Sequence, residues 1–234
     1  KHHKTAKKLM PVPTGKEYTE QQTPRNEILI APYEAKNIYM RQCHNEGRMW
    51  SPDKEVLVSL FNEYYGGGMN SVVFQELRES RALAYNAWAN YFTPSRKGHP
   101  EFTVTHIISQ NDKLLDCINA FNGIIDTIPQ SEKAFELAKQ ALTKRLAAAR
   151  TTKFGILNAY IKAKNLGIDY DINEKIYNAL PSVKLSDVVE FERERMASKP
   201  YLYMILGDEK ELDIKSLEKI APIRRVTTDE IFGY

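Results

Sequence analysis

Apolar and polar residues alternate with a period of two in a few stretches and recur at helical spacing in most of the others, and this division predicts the elements. Residues 37–44, containing IYMRQC, alternate as a strand that Asn45, Glu46 and Gly47 end. Ser51 followed by Pro52 reads as an N-cap with proline in the first turn, opening a helix whose Val56, Leu57, Leu60, Phe61 and Tyr64 share one face. Three glycines, Gly66, Gly67 and Gly68, stop that helix and give the backbone the freedom for a tight chain crossing. Val72, Val73, Phe74 and Leu77 then mark a second helix, with Gln75, Glu76, Arg78 and Glu79 at its polar positions. Tyr85, Ala87, Ala89 and Tyr91 alternate with Asn86, Trp88 and Asn90, while Phe102, Val104, His106 and Ile108 alternate with Thr103 and Thr105. A Pro-, Ser- and Gly-containing turn over residues 93–100 joins the two as an antiparallel hairpin.

Helices dominate the remainder. Asn111 is a cap before Leu114, Leu115, Ile118, Phe121 and Ile125; Pro129 closes that helix, and Ser131 caps the next, which runs to about Arg150. Residues 154–166 repeat the helical pattern and meet Gly167, and Ser186 opens a helix through Val188, Val189 and Phe191. A strand over 201–206 ends at Gly207, followed by a short helix at 216–220 and a short strand at 224–226. Residues 1–35 hold Pro11, Pro13, Pro24 and Pro32 among Lys, Thr, Gln and Glu, with one apolar run at 28–31, and read as a linker or arm that packs against a neighbour. Residues 36–234 are then the folded domain. The order of elements predicts an α+β architecture, a layer of helices against a mostly antiparallel sheet.

Composition narrows the function classes. The 234 residues are 42% hydrophobic, 10% aromatic and 27% charged, enough for a sizeable core, and 33 basic against 30 acidic side chains give a net charge of +3. Charges so balanced and intermixed do not point to nucleic acid as a partner. No apolar run approaches the ~20 residues that a membrane span needs. The chain opens at Lys1 rather than methionine, which suggests a fragment of something longer, and the lack of a signal-peptide pattern then says nothing about export. Cys43 and Cys117 lie in a strand and a helix with apolar neighbours and read as small buried hydrophobes rather than a disulfide.

Three chemistries can be weighed against the residues. GGGMNS follows a helix and no lysine comes next, so it matches neither GxxxxGK[ST] nor a GxGxxG placed after a strand. The histidines are His2, His3, His44, His99 and His106; none forms HExxH or HxxEH, so the sequence holds no complete zinc site, and KHHK at the start reads as a solvated basic end. Cys43 and His44 are adjacent on a strand and point to opposite faces, which argues against a nucleophile–base pair.

Arg78 and Tyr85 remain, with six residues between them, across a helix-to-strand junction reading LRESRALAY. The stretch GGGMNSVVFQELRESRALAYNA resembles the helix and following strand in the C-terminal half of insulinase-type (pitrilysin-type, inverzincin) zinc metallopeptidases, where an LRE-like helix end precedes a GLAY-like strand start. The likeness is strongest from Phe61 to Trp88 and extends more loosely to YLYMILGD and IRRVTTDEIFGY. Ala82 stands where many relatives carry glycine.

That resemblance implies a mitochondrial-processing-peptidase-like fold and a molecule of two related halves closing like a clamshell. One half carries HxxEH and Zn2+; the other lacks it and contributes an arginine and a tyrosine across the cavity, and this chain resembles the second. The implied roles are Tyr85 as a hydrogen-bond donor to the oxyanion of a peptide undergoing hydrolysis, and Arg78, with Tyr85, in substrate binding. The chain itself then holds no metal; the expected partners are a zinc-bearing half, in the same polypeptide or as a separate subunit, and a peptide substrate. Family resemblance also favours a periplasmic or cell-envelope location. Two other classes stay open: a structural pseudo-peptidase subunit and a stand-alone peptide-binding module. Without the resemblance, an arginine at a helix end is a solvated charge or a carbonyl cap, and a tyrosine opening a strand is core with its hydroxyl at the rim.

Overall fold

The computed structural model describes Lys4, Lys8, residues 10–16 and residues 18–233; His2 and His3 lie outside the described residues. In chain order the elements are β1 (Glu27–Pro32), β2 (Asn37–His44), α1 (Glu55–Tyr65), α2 (Val72–Phe74) continued by a π-helical turn (Gln75–Ser80), β3 (Asn86–Phe92), β4 (Phe102–Gln110) and α3 (Leu114–Asp126). There follow α4 (Glu132–Ala148), α5 (Lys153–Leu166), α6 (Ile172–Ala179), α7 (Leu185–Arg195), β5 (Leu202–Gly207), α8 (Ile214–Leu217), β6 (Ile223–Arg225) and α9 (Thr228–Phe232). Among the described residues the strands form one sheet in the order β3-β4-β2-β5-β1-β6. The fold is α+β, and the sheet is mixed: β2 runs antiparallel to β4 and β5, and β3 to β4, whereas β1 is parallel to both β5 and β6.

Several expected boundaries shift for identifiable reasons. The segment Glu27–Pro32, expected within an arm, is a sheet strand with Ile28 and Ile30 fully buried. Its partners are 175 (β5) and 195 (β6) residues away in the chain, so no local pattern announces the pairing. Ser51 and Pro52 sit in a turn closed by the Lys54 N–H on the Ser51 carbonyl (3.1 Å), and α1 starts only at Glu55. Asn111 opens a 3-10 turn and gives its side-chain amide to the Ala35 carbonyl at 3.0 Å instead of capping α3. The Ser131 hydroxyl does cap α4, accepting from the Ala134 N–H at 3.2 Å, and Gly167 ends α5 with φ +74°. Helix α6 was not expected.

One sheet face is the core face. Ile28, Ile30, Ile38, Met40, Ala87, Ala89, Ile107, Tyr203 and Ile205 point from it into the helical layer. Helix α1 is central there, touching β3, α4, α6 and α7. The Phe61 ring packs 5.0 Å from both Tyr65 and Phe191, and the Phe191 ring stands edge-on to Tyr91 at 5.0 Å. The opposite face is only partly covered; Trp88 lies 5.2 Å from His106 on it, and Phe92 stacks on Phe102 at 5.2 Å.

The glycine run does what its sequence suggests. A Cβ on Gly66 would lie 1.9 Å from the Ala89 carbonyl oxygen, so α1 can abut β3 only because no side chain stands there. Neighbouring Asn62 completes the junction: its amide donates to the Tyr91 carbonyl (2.9 Å) and its oxygen accepts from the Tyr91 N–H (2.7 Å), pairing with the strand as another strand would. Gly66→Ala is expected to lower stability by more than about 2 kcal/mol, since backbone must move to admit the methyl group. Urea denaturation of the variant beside the unsubstituted chain measures it.

Glu192 on α7 is buried, and its Oε1 has no hydrogen-bond partner among the described residues. Burial, with Asp126 nearby, pushes its carboxyl up from the ordinary 4.5 to about 8. Between those values the folded chain holds a proton that the unfolded chain has released, so stability falls as pH rises, by up to about 1.4 kcal/mol per pH unit. Glu192→Gln should therefore raise Tm at pH 8.5, with the difference from wild type closing toward pH 5.

Candidate functional site

The stretch from Ser71 to Asn86 converts a helix end into a strand start. Ser71 caps α2, its hydroxyl accepting from the Phe74 N–H at 3.4 Å. The helix then widens to π geometry over Gln75–Ser80, a local distortion found often at functional sites. Leu77 is driven fully into the core while Arg78, next to it, keeps 44% of its side chain in solvent. The chain leaves through Ala82 in the left-handed region (φ +48°), closed by N–H groups of Ala82 on the Arg78 carbonyl (3.2 Å) and of Leu83 on the Leu77 carbonyl (2.9 Å). A glycine here would adopt that φ without strain, so Ala82 carries a backbone cost that its surroundings hold in place.

Beyond the turn, two core groups hold the backbone in place. The Ser109 hydroxyl and the Cys117 thiol (3.5 Å) both donate to the Leu83 carbonyl, and the Tyr85 N–H donates to the Ile108 carbonyl at 2.8 Å. Tyr85 is thus fixed by its backbone just before β3 while its side chain is 79% exposed. The Arg78 guanidinium carbon lies 4.8 Å from the Phe74 ring centroid and 5.9 Å from that of Tyr85, so the cation bridges two aromatic faces. The fold therefore brings Arg78 and Tyr85 together. Arg81 points elsewhere, toward Glu76 at 3.5 Å, and among the described residues the carboxylate paired with Arg78 is Glu79 at 3.7 Å, on an exposed pair. The Tyr85 hydroxyl has no hydrogen-bond partner among the described residues.

Beta strand 3 is an edge strand with one side paired to β4. Asn62 occupies its outer edge at Tyr91 and Gly66 abuts Ala89, so the edge open to an added chain is the beginning of the strand, beside Tyr85. A cavity of about 480 Å³ runs along the strand from Ala87 to Phe92 and is lined also by Gly66, Gly67, Met69 and Phe74. Phe74, Ser109, Cys117 and Asn62 are the residues that sequence reasoning missed. Only Phe74 left a local signal, the one-turn spacing of an aromatic ring to Arg78.

The other candidates resolve as structural groups. Cys43 and Cys117 are free thiols, and burial pushes Cys43 up to about 11 and Cys117 upward. His44 Nδ1 meets the Pro200 carbonyl at 2.8 Å, and burial lowers its pKa; burial and then the Arg41 charge lower that of His106. Among the described residues no group of three His, Cys, Asp or Glu could hold a metal ion, and no helix is long and apolar enough to cross a membrane.

A family model described as the peptidase M16 inactive domain matches residues 3–142. The chain belongs to that family. Solved structures agree on the fold of this M16 inactive domain: a peptidase M16 inactive domain from Pseudomonas fluorescens superposes with a TM-score of 0.68 at 14% identity, covering 83% of this chain and 46% of that one. A protease from Helicobacter pylori gives 0.65 at 14% identity (86% and 48%), and a conserved protein from Enterococcus faecalis V583 gives 0.63 at 18% (84% and 45%). The chain spans about half the length of these structures. No curated protein matches it.

The left-handed φ at Ala82 yields a direct test of how the junction is built. Ala82→Gly should stabilise the M16 domain by up to about 1 kcal/mol, and Ala82→Val should destabilise it by more than about 1 kcal/mol, because a β-branched side chain tolerates that backbone worst. Urea midpoints at constant m-value distinguish the two.

Proposed function

We propose that this chain is the zinc-free, substrate-binding C-terminal half of a zinc metalloendopeptidase, taking part in peptide hydrolysis when closed against an HxxEH-bearing half. What carries the reading is the Tyr85 hydroxyl, which has no hydrogen-bond partner among the described residues, on an exposed ring whose centroid is 5.9 Å from the Arg78 guanidinium carbon at the start of an edge strand. When a peptide carbonyl becomes tetrahedral, negative charge gathers on its oxygen, and a phenol aimed at it donates a hydrogen bond that strengthens as the charge builds. Arg78 offers several donors in a planar fork to substrate carbonyls, and its guanidinium carbon is held 4.8 Å from the Phe74 ring centroid. The free beginning of β3 suits the pairing of an extended peptide by strand addition.

The residues present do not fit zinc: HxxEH is absent and no metal-competent cluster exists among the described residues. The metal, its ligands and the general base belong, in this proposal, to the partner half, in the same polypeptide or a separate one. A periplasmic or envelope location is part of the same proposal.

Supplying the HxxEH half in trans and following hydrolysis of a peptide gives the test. Tyr85→Phe should lower kcat by about 10²–10³-fold with KM little changed, the usual consequence of removing one oxyanion donor. Arg78→Ala should act mainly through KM. Unchanged kcat/KM in both variants overturns the assignment.

A further inference from the structure

The segment ahead of β1, expected as part of an arm that packs against a neighbour, packs across one end of this chain's own sheet. His99 Nδ1, in the β3–β4 loop, meets the Glu20 carboxylate at 2.9 Å. Asn45, just past β2, gives its side-chain amide to the Gln21 carbonyl (3.0 Å), and its own carbonyl accepts from the Thr23 N–H (2.8 Å). The Asn26 side chain then accepts from the Tyr201 N–H at 2.7 Å, one residue before β5. Residues 20–26 therefore cross from the hairpin loop to the start of β5 and wall off that end of the partly covered sheet face. Between the wall and the sheet lies a cavity of about 640 Å³. Its floor is the half-buried Leu29, Cys43, Phe102 and Leu202, with Cys43 and Leu202 in register across β2 and β5.

The charges at the rim pair off with one exception. Glu20 is engaged by His99 and Glu27 by Arg224 at 3.4 Å, and Arg224 also meets Glu230. Arg25 remains, exposed at the rim with no carboxylate or hydrogen-bond partner among the described residues. We propose that this cavity receives the C-terminal residue of a peptide, its carboxylate on Arg25 and its apolar side chain on the floor of Leu29, Phe102 and Leu202. A guanidinium fork matches two carboxylate oxygens, and a C-terminal residue carries carboxylate and side chain on one carbon, so it satisfies rim and floor together. An inorganic anion would leave the apolar floor in water. The wall selects a chain end, because a peptide laid along the face meets residues 20–26 and stops. That the carboxylate belongs to a peptide rests on the reading given under Proposed function. Phe102 pairs with Phe92, at the far end of β3 from Tyr85. The seven residues of β3 span ~24 Å at ~3.4 Å each, so a peptide reaching both places ends about seven residues from the carbonyl held at Tyr85.

The test titrates this chain with a peptide ending in leucine, labelled at its N-terminus and prepared as free acid and as C-terminal amide, and reads fluorescence anisotropy. The free acid should bind at least about 10-fold more tightly than the amide, a charge-assisted pair being the difference. Arg25→Gln should abolish that difference, and Arg25→Lys should keep part of it, since the charge stays and the fork is lost. Serine in place of the terminal leucine should weaken the free acid, which reads the floor. Arg25 is exposed, and an unchanged Tm confirms folding. With the HxxEH half supplied, Arg25→Gln should raise KM for free-acid peptides at unchanged kcat. Tyr85→Phe should lower kcat and leave the acid–amide difference intact, so the two readings fail separately. Equal binding of acid and amide, no binding of either, or a difference that survives Arg25→Gln overturns the proposal. So does displacement of the peptide by laurate where N-acetyl-leucine at the same concentration leaves it bound.

Discussion

The approach of α1 to β3 is the constraint on which the rest of the site depends. Gly66 lets the helix end touch the Ala89 carbonyl, and Asn62 occupies both backbone groups of Tyr91, so the edge strand is fastened to the helical layer at two successive outward-facing residues. Tyr91 carries the connection further. Its hydroxyl donates to Glu101 at 2.8 Å, and Glu101 accepts from the Arg195 guanidinium at 3.2 Å, joining β3 to α7 through a buried charged pair. A buried pair of this kind is weak evidence of net stability, because desolvation offsets most of its attraction. It does restrict the alternatives, since any slip of β3 would strand a charge. The strand that Tyr85 introduces therefore has a fixed position.

Legibility in the sequence followed the range of the interactions. The bounds of β2 were readable because its alternation and its ending at Asn45, Glu46 and Gly47 are local; the same holds for the Ser131 cap and the Gly167 stop. Strand β1 was not readable as part of the sheet. Its EILIAP segment has one apolar run among prolines, and its identity comes from lying between β5 and β6, both supplied by the last quarter of the chain. The π turn was equally hidden, since no local pattern marks where the helix widens, and the Leu83 carbonyl just beyond it is held by the distant Ser109 and Cys117. Arg78 and Tyr85 could be picked out by a resemblance to relatives, whereas Phe74, which packs against the guanidinium, showed in the pattern only its one-turn spacing from Arg78 on a helix face.

The Arg78–Tyr85 pairing itself contributes little to holding the fold. An exposed cation–π contact is worth roughly 0.5–1 kcal/mol, and the exposed Arg78–Glu79 pair adds about as little. Burial elsewhere in this stretch is far larger, with Leu77 and Val73 fully enclosed. The stretch is therefore anchored by its apolar side and leaves its polar side chains with unused hydrogen-bonding capacity. That is the arrangement expected of groups held ready for a ligand, because donors already satisfied within the protein would have to be freed before they could act.

Solvent decides how much such groups can do. A donor facing bulk water competes with water for every acceptor, and at an effective dielectric near 80 its field on a charge 4 Å away amounts to only about 1 kcal/mol. Covering the same groups with a second protein surface lowers the dielectric and removes the competing water, so a phenol and a guanidinium that are nearly inert in the open domain gain several-fold in electrostatic effect. In the domain as it stands Arg78 and Tyr85 both face solvent, so their electrostatic reach stays small unless a second surface covers them.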